Sequence, residues 1–323
     1  MSDHRGFVPI SMATLLPSAM LGIDVFVRSA PGLPSAKLFA SDEPVCESKL
    51  RDYSNAGVTA AFIDVEDRHK YQSYLQRNWH LLLEDSQTPL ENRLEIMGDV
   101  VRGVIDKQLQ GGDLQSLIKA SNQVAETAVK LISTNEVALS QLCAVLHHDY
   151  GTFTHSANVS FYAVMLAKQL GYDQAQQHEV AVGALLHDVG KMEIESGIIN
   201  KPGPLNLQEM NAMKRHPIIG FEKLVHREDV TFGQLMMTYQ HHERFDGSGY
   251  PCAIPGDLIH PYGRLCAIVD VFEALTSQRP YRKPMEIEKA MDFMTSRRGT
   301  EFDAEMLDIW IELTKKEEVN HEQ

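Results

Sequence analysis

Hydrophobic positions along the chain follow two different periods. Up to about residue 85 the pattern is short and alternating: Ile23, Val25 and Val27 interleave with Asp24, Phe26 and Arg28, as in a half-buried strand. Pro31-Gly32-Leu33-Pro34 is turn material, and residues 36–40 return as a second strand. Residues 47–56 read as a helix stopped by Gly57, and residues 59–65 as a buried strand. Tyr71, Tyr74, Leu75, Trp79 and Leu82 then trace one helical face. The pattern predicts a small α/β unit over residues 1–85. With neither a Gly-rich phosphate loop nor a carboxylate-histidine cluster, it reads as a regulatory or partner-binding module.

Beyond residue 86 the period is helical. Residues 86–148 predict connecting and packing helices, interrupted at Gly111-Gly112, with Asp113 as the next N-cap. His147 and His148 close this segment and read as structural. From residue 149 onward an all-α domain is expected. Its first helix, over about 154–170, carries His155, Val159, Tyr162 and Leu166 on one face and ends at Gly171. Asp173 to Gln176 resembles a capping box for a helix running to His187-Asp188. Further helices are predicted over 208–215, from His216-Pro217, over 234–240, 264–276, 285–297 and 304–317. The fold class is therefore mainly α, with a small α/β domain in front.

Composition narrows the function. The 323 residues are 43% hydrophobic and 23% charged, as in soluble globular proteins. A formal net charge of −14 argues against DNA or general nucleic-acid binding, so an anionic small substrate would need local cations or metals. Cys46, Cys143, Cys252 and Cys266 show no CxxC spacing and read as buried thiols in a reducing cytosol. No apolar run approaches the roughly 18 residues of a membrane span, and the N-terminus lacks signal-peptide character, so a cytoplasmic location is expected.

The chemistry centres on Leu185-Leu186-His187-Asp188-Val189-Gly190-Lys191. Adjacent helical residues point about 100° apart, so His187 and Asp188 can share a target only near a helix end. Gly190, tolerant of the left-handed conformation, is expected to supply that end. Of 14 histidines, those at 147, 148, 155, 178, 187, 216, 226, 241, 242 and 260 crowd into one stretch, which points to a metal site. His178, His226 and His260 read as surface or structural. His155, His187, Asp188, His216, His241, His242 and Asp270 fall at helix ends or faces. Imidazoles with two carboxylates suit iron, manganese, zinc, cobalt or nickel better than calcium. Seven ligands exceed one tetrahedral site and suit two metals bridged by Asp188, a pair that lowers the pKa of a shared water. Lys191 is placed to stabilise a phosphoryl or leaving oxygen.

These residues resemble the metal-binding set of the HD phosphohydrolase superfamily. The stretches "HDVGK", "IINKPGPL", "MKRHPIIG", "HHERFDGSGYP", "GRLCAIVDVFEALTSQRPYRK" and "GTEFD" narrow the likeness to the HD-GYP family of cyclic di-GMP phosphodiesterases, over about residues 149–310. "PISMATLLPSAMLGIDVFVR" is similar to a domain often found before HD-GYP domains. The resemblance implies that the seven residues are metal ligands, with Asp188 and Lys191 catalytic and iron or manganese the leading metals. It also implies substrate contacts from Lys191, Arg282, Arg244 and Tyr250, with Lys283 a weaker candidate. The Gly249-Tyr250-Pro251 loop would contact a diguanylate cyclase or other signalling protein, and a homodimer is a further expectation.

Three positions depart from the family pattern. Gly151 stands where some members carry a glutamate that serves a third metal, which favours two metals and pGpG as the main product. Glu193-Ile194-Glu195 replaces the usual Gly-Ile-Pro, and Glu273 replaces an aspartate, as an orienting carboxylate would. A rival reading is a catalytically weak cyclic-dinucleotide receptor or scaffold. A third is preference for the mixed GMP-AMP ring.

Overall fold

The computed structural model describes residues 6–28, 36–84, 113–135, 137–146, 152–277 and 283–321, with scattered positions between 89 and 101. The expected turn at 31–34, the break at Gly111-Gly112, and His147, His148, Gly151 and Arg282 lie outside the described residues. The chain forms two compact units, Met1–Val104 and Ile105–Gln323.

In the first unit, β1 (Phe7–Ser11), β2 (Val25–Val27), β3 (Ala36–Phe39) and β4 (Ala60–Asp64) make one antiparallel sheet in the order β1-β4-β2-β3. Alternation sorts its side chains: Ile10, Val25, Val27, Leu38, Ala61 and Ile63 are buried, while Phe26 and Phe62 lie on the other, half-exposed face. Two helices accompany the sheet, α1 (Glu47–Asn55) and α2 (Arg68–Glu84), and α1 gives way to Gly57 at φ +78°. Tyr71 and Tyr74 on α2 are buried, and their hydroxyls tie the helix to the turn after β1. The Tyr74 hydroxyl donates to the Thr14 carbonyl at 2.9 Å and accepts from Leu16 N at 2.9 Å. β1 was not expected from the pattern. Pro9 interrupts its alternation, and it is tolerated because β1 is an edge strand.

The second unit is helical. Asp113 caps α3 (Leu114–Thr134) by accepting from Gln115 N and Ser116 N, as expected. After α4 (Leu139–Leu146) come α5 (Thr152–Gln169) and α6 (Gln174–Leu186), which pack closely on each other. Residues 180–186 of α6 are buried on every side, so the C-terminal half of this helix is central and has no solvent face. Its start is the predicted capping box: Gln176 N donates to Asp173 at 2.8 Å and Asp173 N to the Gln176 side chain at 3.0 Å. The short α7 (Ser196–Ile199) and α8 (Leu207–Met213) lead into α9 (His216–Leu224), which has Pro217 in its first turn, and α10 (Phe232–Gln240). α11 (Pro261–Thr276), α12 (Ile287–Thr295) and α13 (Ala304–His321) complete the unit. Phe161, Tyr162, Phe272 and Trp310 form its fully buried aromatic core.

Two sequence expectations need correction. Gly190 does not adopt a left-handed conformation. The chain leaves helical geometry at Asp188 (φ −99°, ψ 10°) and continues as a short 3-10 helix, Val189–Glu193. Glycine is required at 190 because a Cβ there would stand 2.0 Å from the His216 carbonyl oxygen. The cysteines are unbridged, but only Cys143 and Cys266 are buried, whereas Cys46 and Cys252 are exposed.

Candidate metal centre

Five elements deliver the seven expected residues to one place. His155 comes from the first turn of α5, and His187 and Asp188 from the junction of α6 and the 3-10 helix. His216 opens α9, His241-His242 follow α10, and Asp270 lies on α11. The two oxygens of Asp188 face different neighbours. Its Oδ2 is 3.4 Å from His187 Nε2 and 3.7 Å from His155 Nε2; its Oδ1 is 3.2 Å from His216 Nε2 and 3.8 Å from His241 Nε2. Asp270 Oδ1 lies 3.0 Å from His155 Nε2. His242 joins the second set, its ring centroid 4.2 Å from that of His241 and 4.9 Å from that of His216. Ligand atoms of His155, His187 and Asp188 lie within 4.8 Å of one another, as do those of His216, His241 and His242.

Backbone carbonyls fix the imidazole tautomers. A carbonyl can only accept, so Nδ1 is the protonated nitrogen where it faces one. His187 Nδ1 donates to the Ala184 carbonyl at 2.6 Å, His216 Nδ1 to Met213 at 2.8 Å, and His241 Nδ1 to Thr238 at 3.0 Å. Each Nε2 is then left with a lone pair directed into the cluster. The Nε2 atoms of His216 and His241 face each other at 3.1 Å without a proton between them, an arrangement that a cation relieves. His187 Nε2 and Asp188 Oδ1 are buried with no hydrogen-bond partner, and such orphaned atoms also fit a metal. On both counts the residues present suit divalent transition metals.

Electrostatics divide the cluster. Burial alone would depress the His155 imidazolium, but the Glu273 and Asp270 carboxylates outweigh it and lift its pKa to about 10. On the other side burial prevails: it lowers His216 to about 4 against the pull of Asp188, and His242 to about 3. His241 is also held well below its ordinary value, by burial and its imidazole neighbours. Burial works to raise the Asp188 carboxyl, yet Lys191 and His187 hold it well below the usual carboxylate range. Lys191 is ion-paired with Asp188 Oδ2.

Two buried carboxylates support the cluster: Glu273, expected as an orienting group, and Glu243, which the sequence reading did not single out. Glu273, 1% exposed, lies 2.5 Å from His155 Nδ1 and accepts from Asn158 at 3.2 Å and Ser277 at 2.7 Å. It thus orients His155 and is itself oriented. Glu243, buried next to His242, accepts from Cys252 N at 2.6 Å and anchors the loop that returns over the site. Along that loop Tyr250 N donates to the His242 carbonyl at 3.1 Å, and the Tyr250 ring stacks on His242 with centroids 4.7 Å apart. A Cβ on Gly249 would meet Arg244 N at 2.3 Å, so only glycine lets the loop close this tightly. The signal for Glu243 was its place directly after His241-His242.

The remaining candidates are more peripheral. Arg244 is paired with Glu301 at 3.3 Å, Lys283 is exposed, and Arg282 is not among the described residues. Glu193 and Glu195 are both exposed, and Glu193 pairs with Lys223 at 2.6 Å. His260 caps α11, His178 faces the Asn122 carbonyl, and His226 is exposed.

Comparison with known proteins covers the part of the chain that holds the cluster. A family model described as "HD domain" matches residues 126–306. The "cyclic di-GMP phosphodiesterase response regulator RpfG" of Xanthomonas campestris is 37% identical over 210 residues, 61% of this chain and 55% of its own length. The "3'3'-cGAMP-specific phosphodiesterase 1" of Vibrio cholerae is 39% identical over 146 residues, 44% of this chain and 33% of its own. The matched stretches thus span about half or less of these relatives. A solved structure of an HDG"Y"P protein from Bdellovibrio bacteriovorus shares the fold, with a TM-score of 0.66 over 97% of this chain and 100% of that one, at 18% identity.

Proposed function

The chain belongs to the HD domain family, and from that premise we propose that it is a metal-dependent phosphodiesterase that opens cyclic di-GMP, mainly to linear pGpG. The observation that carries the reading is the pair of facing lone pairs on His216 and His241, 3.1 Å apart beside the carboxylate of Asp188. One metal would be held by His155, His187, Asp270 and Asp188, and a second by His216, His241, His242 and Asp188. Iron or manganese is the leading choice for both. Bound there, the metals would supply a water of lowered pKa and neutralise charge on the phosphoryl oxygens.

The chain's own groups prepare the site. The Ala184, Met213 and Thr238 carbonyls keep three Nε2 atoms unprotonated. Glu273 holds His155 in orientation. Lys191, on Asp188 in this structure, is the group we assign to the charge that develops on a phosphoryl or leaving oxygen. Proposed partners are a second copy of the chain and a diguanylate cyclase docked on the exposed loop rim at Asp246, Ser248 and Cys252. Among the described residues no helix is long and apolar enough to cross a membrane.

The Vibrio cholerae relative favours one further substrate, the mixed GMP-AMP ring. Chromatography of products from both rings, incubated with the iron- or manganese-loaded chain, tests the proposal. Accumulating pGpG supports it, and faster opening of the mixed ring supports the second substrate. Rings that bind but stay intact would make the protein a receptor instead.

A further inference from the structure

A cyclic dinucleotide is a dianion, while the chain carries a net charge of −14, so capture needs cations near the site that no carboxylate already neutralises. Most neighbouring cations fail that requirement. Lys191 is paired with Asp188, Lys201 with Glu209 at 2.6 Å, Lys223 with Glu193 at 2.6 Å, and Arg244 with Glu301 at 3.3 Å. Lys214 differs. It caps the C-terminal end of α8, two residues before His216, is exposed, and has no ion pair among the described residues. Its Nζ lies 5.1 Å above the Tyr250 ring, and that ring stacks on His242 at 4.7 Å.

A contact with the face of an aromatic ring orients an ammonium group without neutralising it, whereas an ion pair would cancel the charge. Tyr250 therefore holds a full positive charge one ring away from the imidazole of His242. We propose that Lys214 is a substrate-binding residue whose ammonium takes a non-bridging phosphodiester oxygen of the cyclic dinucleotide, with Tyr250 as its resting place. This gives the tyrosine of the loop a second role beside packing on His242. The inference rests on the function proposed above.

The test is equilibrium binding of a slowly hydrolysed phosphorothioate analogue of cyclic di-GMP to the metal-loaded full chain, at several salt concentrations. Metal content is measured on the same samples. Lys214→Ala should weaken binding roughly tenfold and flatten its salt dependence, with metal content unchanged, while Lys214→Arg should restore most of the affinity. Wild-type-like affinity and salt dependence in Lys214→Ala would overturn the inference alone. So would loss of metal in that variant, since the lysine would then be structural. A wild-type chain that binds neither this analogue nor the one of the mixed ring would overturn the proposed function, and the inference with it.

Discussion

The two sides of the cluster around Asp188 solve the same problem differently. On one side His155 sits between two carboxylates, Glu273 at 2.5 Å and Asp270 at 3.0 Å, and its pKa is lifted to about 10. On the other, His216, His241 and His242 are crowded together, and burial keeps them neutral. Backbone carbonyls, not carboxylates, orient His216 and His241. The first side is balanced by charge before any metal arrives. The second is a set of lone pairs held in place by helix ends, and its stability depends more on what fills it. Asp188 belongs to both, with one oxygen turned to each.

Substitutions on either side should separate the two. Asp188→Ala removes the shared carboxylate and should empty both sides: less than one metal per chain by elemental analysis, and more than about 100-fold lower turnover. Glu273→Gln touches only the carboxylate side. It should weaken one metal about 10- to 100-fold in a metal titration and leave the other in place. Equal weakening of both would show that the sides are not separable. Gly190→Ala acts on the imidazole side through packing, because its Cβ would enter the space of the His216 carbonyl at 2.0 Å. About 1–3 kcal/mol should be lost in urea unfolding, with the His216 side the more disturbed in metal uptake. The smallest effect belongs to Tyr250→Leu, which removes the ring stacked on His242 and should cost about 0.5–1.5 kcal/mol in the same unfolding measurement.

Much of this site was legible in the sequence because its residues carry their chemistry with them. Helix starts announced themselves locally: the capping box at Asp173, the N-cap at Asp113 and Pro217 beside His216 all have short-range signals. The seven proposed ligands were visible as residue types at helix ends or on helix faces. What could not be read was close approach between distant segments. Gly190 looked like a helix stop, yet its real constraint is the carbonyl of a residue in the next long helix, 26 positions on. Glu243 was marked only by its place after His241-His242 and Lys214 by nothing, because one acts through a loop that folds back and the other through a ring it meets only in three dimensions. β1 was hidden by Pro9, which an edge strand accepts and a periodicity reading penalises. The exposure of Cys252 likewise follows from how the loop returns over the site, not from its neighbours in sequence.

We propose that these seven side chains hold two metals that share Asp188. Elemental analysis of the anaerobically purified full chain, beside Asp188→Ala, decides this. The expected result is two equivalents of iron or manganese per wild-type chain and less than one in the variant. A single equivalent in both proteins would contradict it.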